Sequence, residues 1–304
     1  MEVRPDHGVH RFAVFTAGCT FFLLAAGALV TSNDAGLAVP DWPLSYGSLL
    51  PPMVGGIRYE HGHRMFAAFV GFLTVILAVW LWRVEHRRWV RTFGWVALGL
   101  IVAQGLLGGL TVKLFLPPSV SSAHATLAQL FFASVLSLAL FTGNWWQKDL
   151  PQFDDAGSPR LRALTVATAV VILLQIVLGA IFRHHGFGIA PHLVGAGVVT
   201  WMVVWIGRTV RLRFPQAPAL RRGVKWLHSF FGLQILLGGA AWWEVRAAAN
   251  APQPVPLTVW ITVAHVVVGA LLFGSSVLVA LCSFRLVRPA GALAVESHAT
   301  GAAL

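Results

Sequence analysis

The sequence predicts an all-α integral membrane fold, with eight transmembrane helices arranged as two pseudo-symmetric four-helix bundles. Three observations carry that prediction. Apolar residues make up 57% of the 304 and charged residues 11%, a balance foreign to a soluble domain. Eight apolar runs, at 11–31, 62–82, 93–115, 119–142, 163–183, 189–207, 224–243 and 256–282, match the roughly 20 residues that cross a bilayer core of about 30 Å. Runs of this length satisfy their backbone as helices, not as barrel strands. Finally, of the 22 Lys and Arg, all but Arg58, Arg64, Lys113, Arg183 and Arg246 fall in alternate connecting segments and the tails. That bias places both termini in the cytoplasm of a bacterial-type inner membrane. It also accounts for the net charge of +11 as a topology signal facing anionic lipid, and excludes nucleic acid as a partner.

The elements follow in order. The run 11–31 is succeeded by Asn33, Asp34 and Pro40 instead of a small-residue cleavage site, so it is read as the first helix and not a signal peptide. Residues 32–60, SNDAGLAVPDWPLSYGSLLPPMVGGIRYE, form a long outer loop. Loops this long are usually functional, and the expectation is a lid over a site at the outer end of the bundle, with a plain interfacial loop as the alternative. The run 62–82 opens directly after RYEHGHR, and 93–115 carries QGLLGG. The run 119–142 carries SSAHATLAQ. A polar inner linker at 143–162 then divides the chain into an N-terminal half, 1–150, and a C-terminal half, 151–304. The runs 163–183, 189–207, 224–243 and 256–282 complete the second half. Cys19 and Cys282 lie in the first and last runs, at different depths, which excludes a disulfide between them.

The halves resemble each other. Gln104 and Gly108 correspond to Gln234 and Gly238, His63 to His192, and His124 to His265. The run 163–183 repeats the Gln-x-x-x-Gly spacing at Gln175 and Gly179, and Gly27 in the first run has the glycine without the glutamine. An even number of helices per half gives a parallel repeat about an axis along the membrane normal. Glycine at these spacings is read as close helix packing, with cofactor contact as the alternative.

The sequence holds 12 histidines, and His63, His124, His192 and His265 share a placement: each lies near the outer start of an even-numbered run. Ionisable groups at such depths are costly and are functional by default. Neutral imidazole suits haem iron, copper or zinc. The repeat yields two pairs, one per half, which favours two bis-histidine haems over a single four-histidine ion. Propionates would then point outward, where Arg58, Arg64 and Arg183 are candidate partners. His228 is read as structural, and His61 is not assigned as a ligand. One asymmetry stands out. Glu60 precedes His63 by one helical turn, while the corresponding position of the second half is Ile189, and Arg64 corresponds to Leu193. A carboxylate beside one ligand pair can accept a proton or steady positive charge; pairing with Arg64 or capping the helix is the alternative. One site for chemistry and one for electron transfer would follow.

The stretches VTSNDAGLAVPDWPLSYG, YEHGHRMFAAFVG, QGLLGGLTV and SSAHATLAQLFFA are similar to those of haem A synthases, strongly over 25–142 and more weakly over 163–282. The family's Glu-x-x-His-Arg motif is matched by Glu60, His63 and Arg64, and its later histidines by His124, His192 and His265. The resemblance implies an oxidoreductase that converts a ring methyl of haem O to a formyl group through a hydroxymethyl stage. It also implies haem b on His192 and His265, substrate haem O with His63 and His124, and Glu60 as the catalytic carboxylate. Implied partners are a haem O synthase, cytochrome oxidase assembly proteins, membrane lipid, and an electron acceptor such as a quinone. Two departures are visible: the outer loop lacks the cysteine pair of some family members, and Thr31 stands where the family commonly has an arginine. Arg183, its counterpart in the second half, is kept. The competing expectations are a di-haem b-type electron-transfer cytochrome and a haem transporter.

Overall fold

The computed structural model describes residues 7–289. Its elements in order are α1 (His7–Ser32), α2 (Ile57–Val84), α3 (Arg88–Lys113), α4 (Pro118–Thr142), the single turn α5 (Asn144–Gln147), β1 (Phe153–Asp155), α6 (Leu161–Arg183), α7 (Ala190–Arg213), α8 (Pro218–Ala247), α9 (Pro256–Leu286) and β2 (Val287–Pro289). The protein is an all-α membrane protein. Seven of its helices are long and apolar enough to cross a membrane. The remaining long helix, α8, is diluted by His228, Gln234 and its tryptophans, so the eighth expected span is less apolar than the others.

Proline opens α4, α7, α8 and α9 in the first turn, where its missing N–H costs nothing and its fixed φ suits the helix. Several helices begin earlier than their apolar runs, among them α1 at His7 instead of 11 and α3 at Arg88 instead of 93. α8 starts at Pro218 instead of 224. α2 starts at Ile57 instead of 62, and so carries Glu60 and His63 on continuous helix. Side chains three apart on a helix are neighbours, and the expected common face of Glu60 and His63 is therefore present.

Within the first half, α1 packs on α2, α2 on α3, α3 on α4 and α4 back on α1. In the second half, α6, α7, α8 and α9 make the same circuit. Contacts of α1 with α9, and of α4 with α6 and α9, join the two. Leu73, Leu77, Leu81, Phe131 and Leu138 centre one apolar core, and Leu161, Ile172, Ile206, Leu220 and Leu227 centre another. In lipid, apolar contact alone gives little preference for helix association, so polar links matter more. Thr165 and Ser283 share a hydrogen bond of 2.9 Å between α6 and α9. Ser32 and Thr262 share another of 2.9 Å between α1 and α9.

The linker side is closed by a short parallel pair, β1 with β2. Asp155, at the end of β1, is buried and accepts hydrogen bonds from the N–H of Leu161 at 2.5 Å and of Gly157 at 3.2 Å. The Arg213 guanidinium pairs with the same carboxylate and donates to the Pro159 carbonyl at 3.1 Å. This clasp ties the linker to the end of α7. Replacing Arg213 with Ala strands a buried carboxylate, which costs about 3 kcal/mol, the low end for a broken buried pair because Arg213 itself is partly exposed. Thermal unfolding in detergent checks this: Arg213→Ala should melt well below the wild type, and Asp155→Asn combined with Arg213→Met should recover most of the loss. Equal melting of Arg213→Ala and wild type would show the pair to be energetically idle.

Candidate functional site

The four repeat-related histidines share one local environment. Each imidazole points its Cε1 edge at a glycine of the neighbouring helix. A Cβ at Gly27 would come within 3.1 Å of the His63 ring, at Gly108 within 3.0 Å of His124, at Gly179 within 2.8 Å of His192, and at Gly238 within 3.1 Å of His265. The glycines therefore clear space for rings, which refines the expectation of plain helix-to-helix packing. Three of them sit one turn beyond a glutamine that braces the same histidine. Gln104 donates to the His124 carbonyl at 2.9 Å, and Gln175 donates to that of His192 at 2.8 Å. The Gln234 amide nitrogen lies 3.3 Å from Nε2 of His265.

Histidine against glycine recurs elsewhere, and the comparison is informative. His228 packs on Gly207, and His10 on Gly143, but their Nδ1 atoms bond to the carbonyls of Val224 at 2.8 Å and Ala139 at 3.0 Å. These are satisfied structural histidines, as expected for His228. His63, His124 and His265 instead each keep a buried Nδ1 without a hydrogen-bond partner. Buried polar atoms are nearly always satisfied, so each such exception calls for a reason. Among the described residues, no three His, Cys, Asp or Glu converge as ligands for a small ion. The His192 and His265 ring centres lie 6.4 Å apart. Two imidazoles bonding one metal from opposite sides at about 2.0–2.1 Å put their ring centres roughly 6.3 Å apart. The pair therefore fits an axially ligated flat macrocycle.

The outer loop is folded over the first half. Trp42 lies on Gly109 of α3, where a Cβ would meet its indole at 2.7 Å, and Leu116 closes on Gly36. Ser45 and His61 are both buried and share a 2.8 Å hydrogen bond. The Asp41 carboxylate accepts from the N–H groups of Tyr46 at 2.7 Å and Gly47 at 2.8 Å. The Gly47 N–H is the main cause that holds the Asp41 carboxyl below the usual carboxylate range. Gly47 itself turns with φ of +68°, a conformation that glycine adopts without a steric penalty.

Glu60 stands between loop and helix. It is 4% exposed. One oxygen accepts the Val39 N–H at 2.8 Å, and the other accepts Arg64 at 2.5 Å. Arg64 also donates to the carbonyls of Asp41 at 2.7 Å, Leu44 at 2.9 Å and Val39 at 3.2 Å. Its terminal nitrogens are thus directed at Glu60 and the loop, not outward as a propionate partner would be. Arg58 is exposed and donates to Tyr59. Arg183 reaches across to α1, donating to Ser32 Oγ at 2.6 Å.

Sequence reasoning passed over several residues. Val39 and Ser45 contribute through the loop fold, which no local pattern announces. His184, just past α6, also went unnoticed. Burial first, then the charges of Arg183, His124 and His185, push its imidazole down to about 4, so it is neutral at physiological pH. The influence of His124 leaves no trace in the sequence, because it belongs to α4 whereas His184 follows α6.

Fold and site together define a multi-pass, all-α membrane protein with imidazoles seated against glycines between its helices. The chain belongs to the cytochrome oxidase assembly protein family, COX15-CtaA, which it matches over residues 57–282. It is 31% identical over 179 residues to the Heme A synthase of Lysinibacillus sphaericus, covering 57% of each chain. With the Heme A synthase of Symbiobacterium thermophilum it is 29% identical over 258 residues, 74% of this chain and 83% of that one. With that of Shouchella clausii the figures are 30% over 183 residues, 58% and 60%. The matched stretch thus spans less than two thirds of the Lysinibacillus and Shouchella proteins and most of the Symbiobacterium one.

Proposed function

We propose that this protein is a haem A synthase of a bacterial-type inner membrane, oxidising a ring methyl of haem O to a formyl group for cytochrome oxidase. In this reading all eight long helices cross the membrane, both termini are cytoplasmic, and the two halves are pseudo-symmetric bundles. The matching helix circuits and the repeated histidine-on-glycine seats support that arrangement. The observation that carries the functional reading is the spacing of the His192 and His265 rings, set beside buried unpartnered ring nitrogens in both halves.

His192 and His265 would hold haem b, braced by Gln175 and Gln234. Bound there, it would supply one-electron transfer. His63 and His124 would flank the substrate haem O, beneath the folded loop. Glu60 is the asymmetric element: a carboxylate one turn from His63, with no counterpart at Ile189. Its buried, doubly bonded setting fixes its position, so that it can take a proton or stabilise developing positive charge at the substrate. Arg64 then serves as a positioning residue that aims Glu60 and holds the loop closed. Arg183 is the arginine left to meet a propionate, at the boundary between the halves.

Expression with a haem O synthase, followed by extraction of the haems and their identification by absorption and mass, tests the reading. Haem A together with haem b is the expected content. Haem b alone would make the protein an electron-transfer cytochrome. Haem O and haem b without haem A would make it a carrier.

A further inference from the structure

On the linker side, a cavity of about 600 Å³ opens between the first turns of α6 and the end of α9 with β2. Its mouth is basic: Arg160, Arg162 and Arg288 line it. Beside these cations its wall is apolar, formed by Val166, Val170 and Phe284. Arg162, Val166 and Val170 are spaced four apart, so one stripe of α6 passes from cation to bare aliphatic surface. Val166 is 42% exposed and Val170 49% exposed, so this stripe faces outward from the protein. The Arg162 guanidinium rests over the Phe284 ring, 5.1 Å from its centre, and donates to the Phe284 carbonyl at 3.1 Å. Its Nε is buried and has no hydrogen-bond partner. Arg288 is its charged neighbour. The Asp155 carboxylate at the cavity's edge is occupied by Arg213 and two backbone N–H groups.

We propose that this cavity binds an anionic phospholipid of the leaflet facing the 143–162 linker, its phosphate held by Arg160, Arg162 and Arg288 and its acyl chains lying along Val166 and Val170. Guanidinium groups bind phosphate through paired, charge-assisted hydrogen bonds. Basic pockets beside membrane helices at the headgroup level suit anionic lipids. A free phosphate would use the arginines but leave most of the volume and the apolar stripe without a purpose. The site lies at the opposite end of α6 from Arg183, and the proposal is independent of the haem chemistry.

Native mass spectrometry of the detergent-purified protein, given phosphatidylglycerol, phosphatidylcholine or inorganic phosphate, tests it. Wild type should retain phosphatidylglycerol and not phosphatidylcholine, and inorganic phosphate should not displace the bound lipid. Each arginine removed should lower retention about fivefold, so Arg162→Gln with Arg288→Gln lowers it roughly 25-fold. Val170→Asp, which leaves the arginines in place, should also weaken the lipid. If the double variant does not fold, Arg160→Gln, at an exposed position, carries the test with its about fivefold loss. Unchanged retention in the variants, equal retention of phosphatidylcholine, or displacement by inorganic phosphate would overturn the proposal.

Discussion

Glu60→Gln is expected to lower haem A formation by about a hundredfold or more, the usual weight of a positioned acid–base group, while haem b stays bound. The substitution keeps the side chain's shape, and its amide oxygen can still accept the Val39 N–H seen at 2.8 Å. What it removes is the negative charge and the ability to take a proton. Glu60→Ala goes further. It strands the Arg64 guanidinium, which now donates to Glu60 at 2.5 Å, and loosens the loop. Two readouts separate the effects. Haem A per protein reports on the chemistry, and protease cleavage within 33–56 reports on closure of the loop. Loss of product in Glu60→Gln with a protected loop supports a catalytic carboxylate. Normal product in Glu60→Gln, with failure only in Glu60→Ala, would make Glu60 a structural clamp for the loop and nothing more.

The second large effect is expected at His265. Without its imidazole, His192 has no partner across the 6.4 Å gap, and the haem b content of the purified protein should fall at least tenfold. Altering even the groups around a metal ligand typically costs 10–100-fold in affinity. Product should fall with it, because the electron route is lost. His228→Ala is the matched control. That imidazole also sits on a glycine, Gly207, but its Nδ1 is bonded to the Val224 carbonyl, so the haem content should be unchanged. Full haem b in His265→Ala, measured by the absorption spectrum, would rule out the pairing of these two histidines.

Helix content was legible because a spanning helix needs a long apolar stretch, and the runs say so directly. The start of α2 was not, because Arg58, Glu60, His61, His63 and Arg64 break the apolar pattern. Those residues are affordable there only because Val39, Asp41, Leu44 and Ser45, about 20 positions away, satisfy Glu60, His61 and Arg64. Pairings at such a distance leave no periodic trace. The same holds for β1 with β2, where three residues meet three others from the far end of the chain. The four histidines were legible through the repeat, and their glycines through spacing. The role of those glycines was not, since the same spacing serves helix packing and ring seating alike. Arg64 shows the limit most clearly: its place beside His63 suggested an outward-facing cation, whereas the folded loop supplies carbonyls that turn it inward.

The closure of the outer loop rests on an imidazole–hydroxyl bond, a guanidinium on three carbonyls, and an indole on a glycine. None of these contacts involves a thiol or a disulfide. The hold of the outer loop on the first half therefore does not depend on a disulfide within residues 32–60, which contain no cysteine.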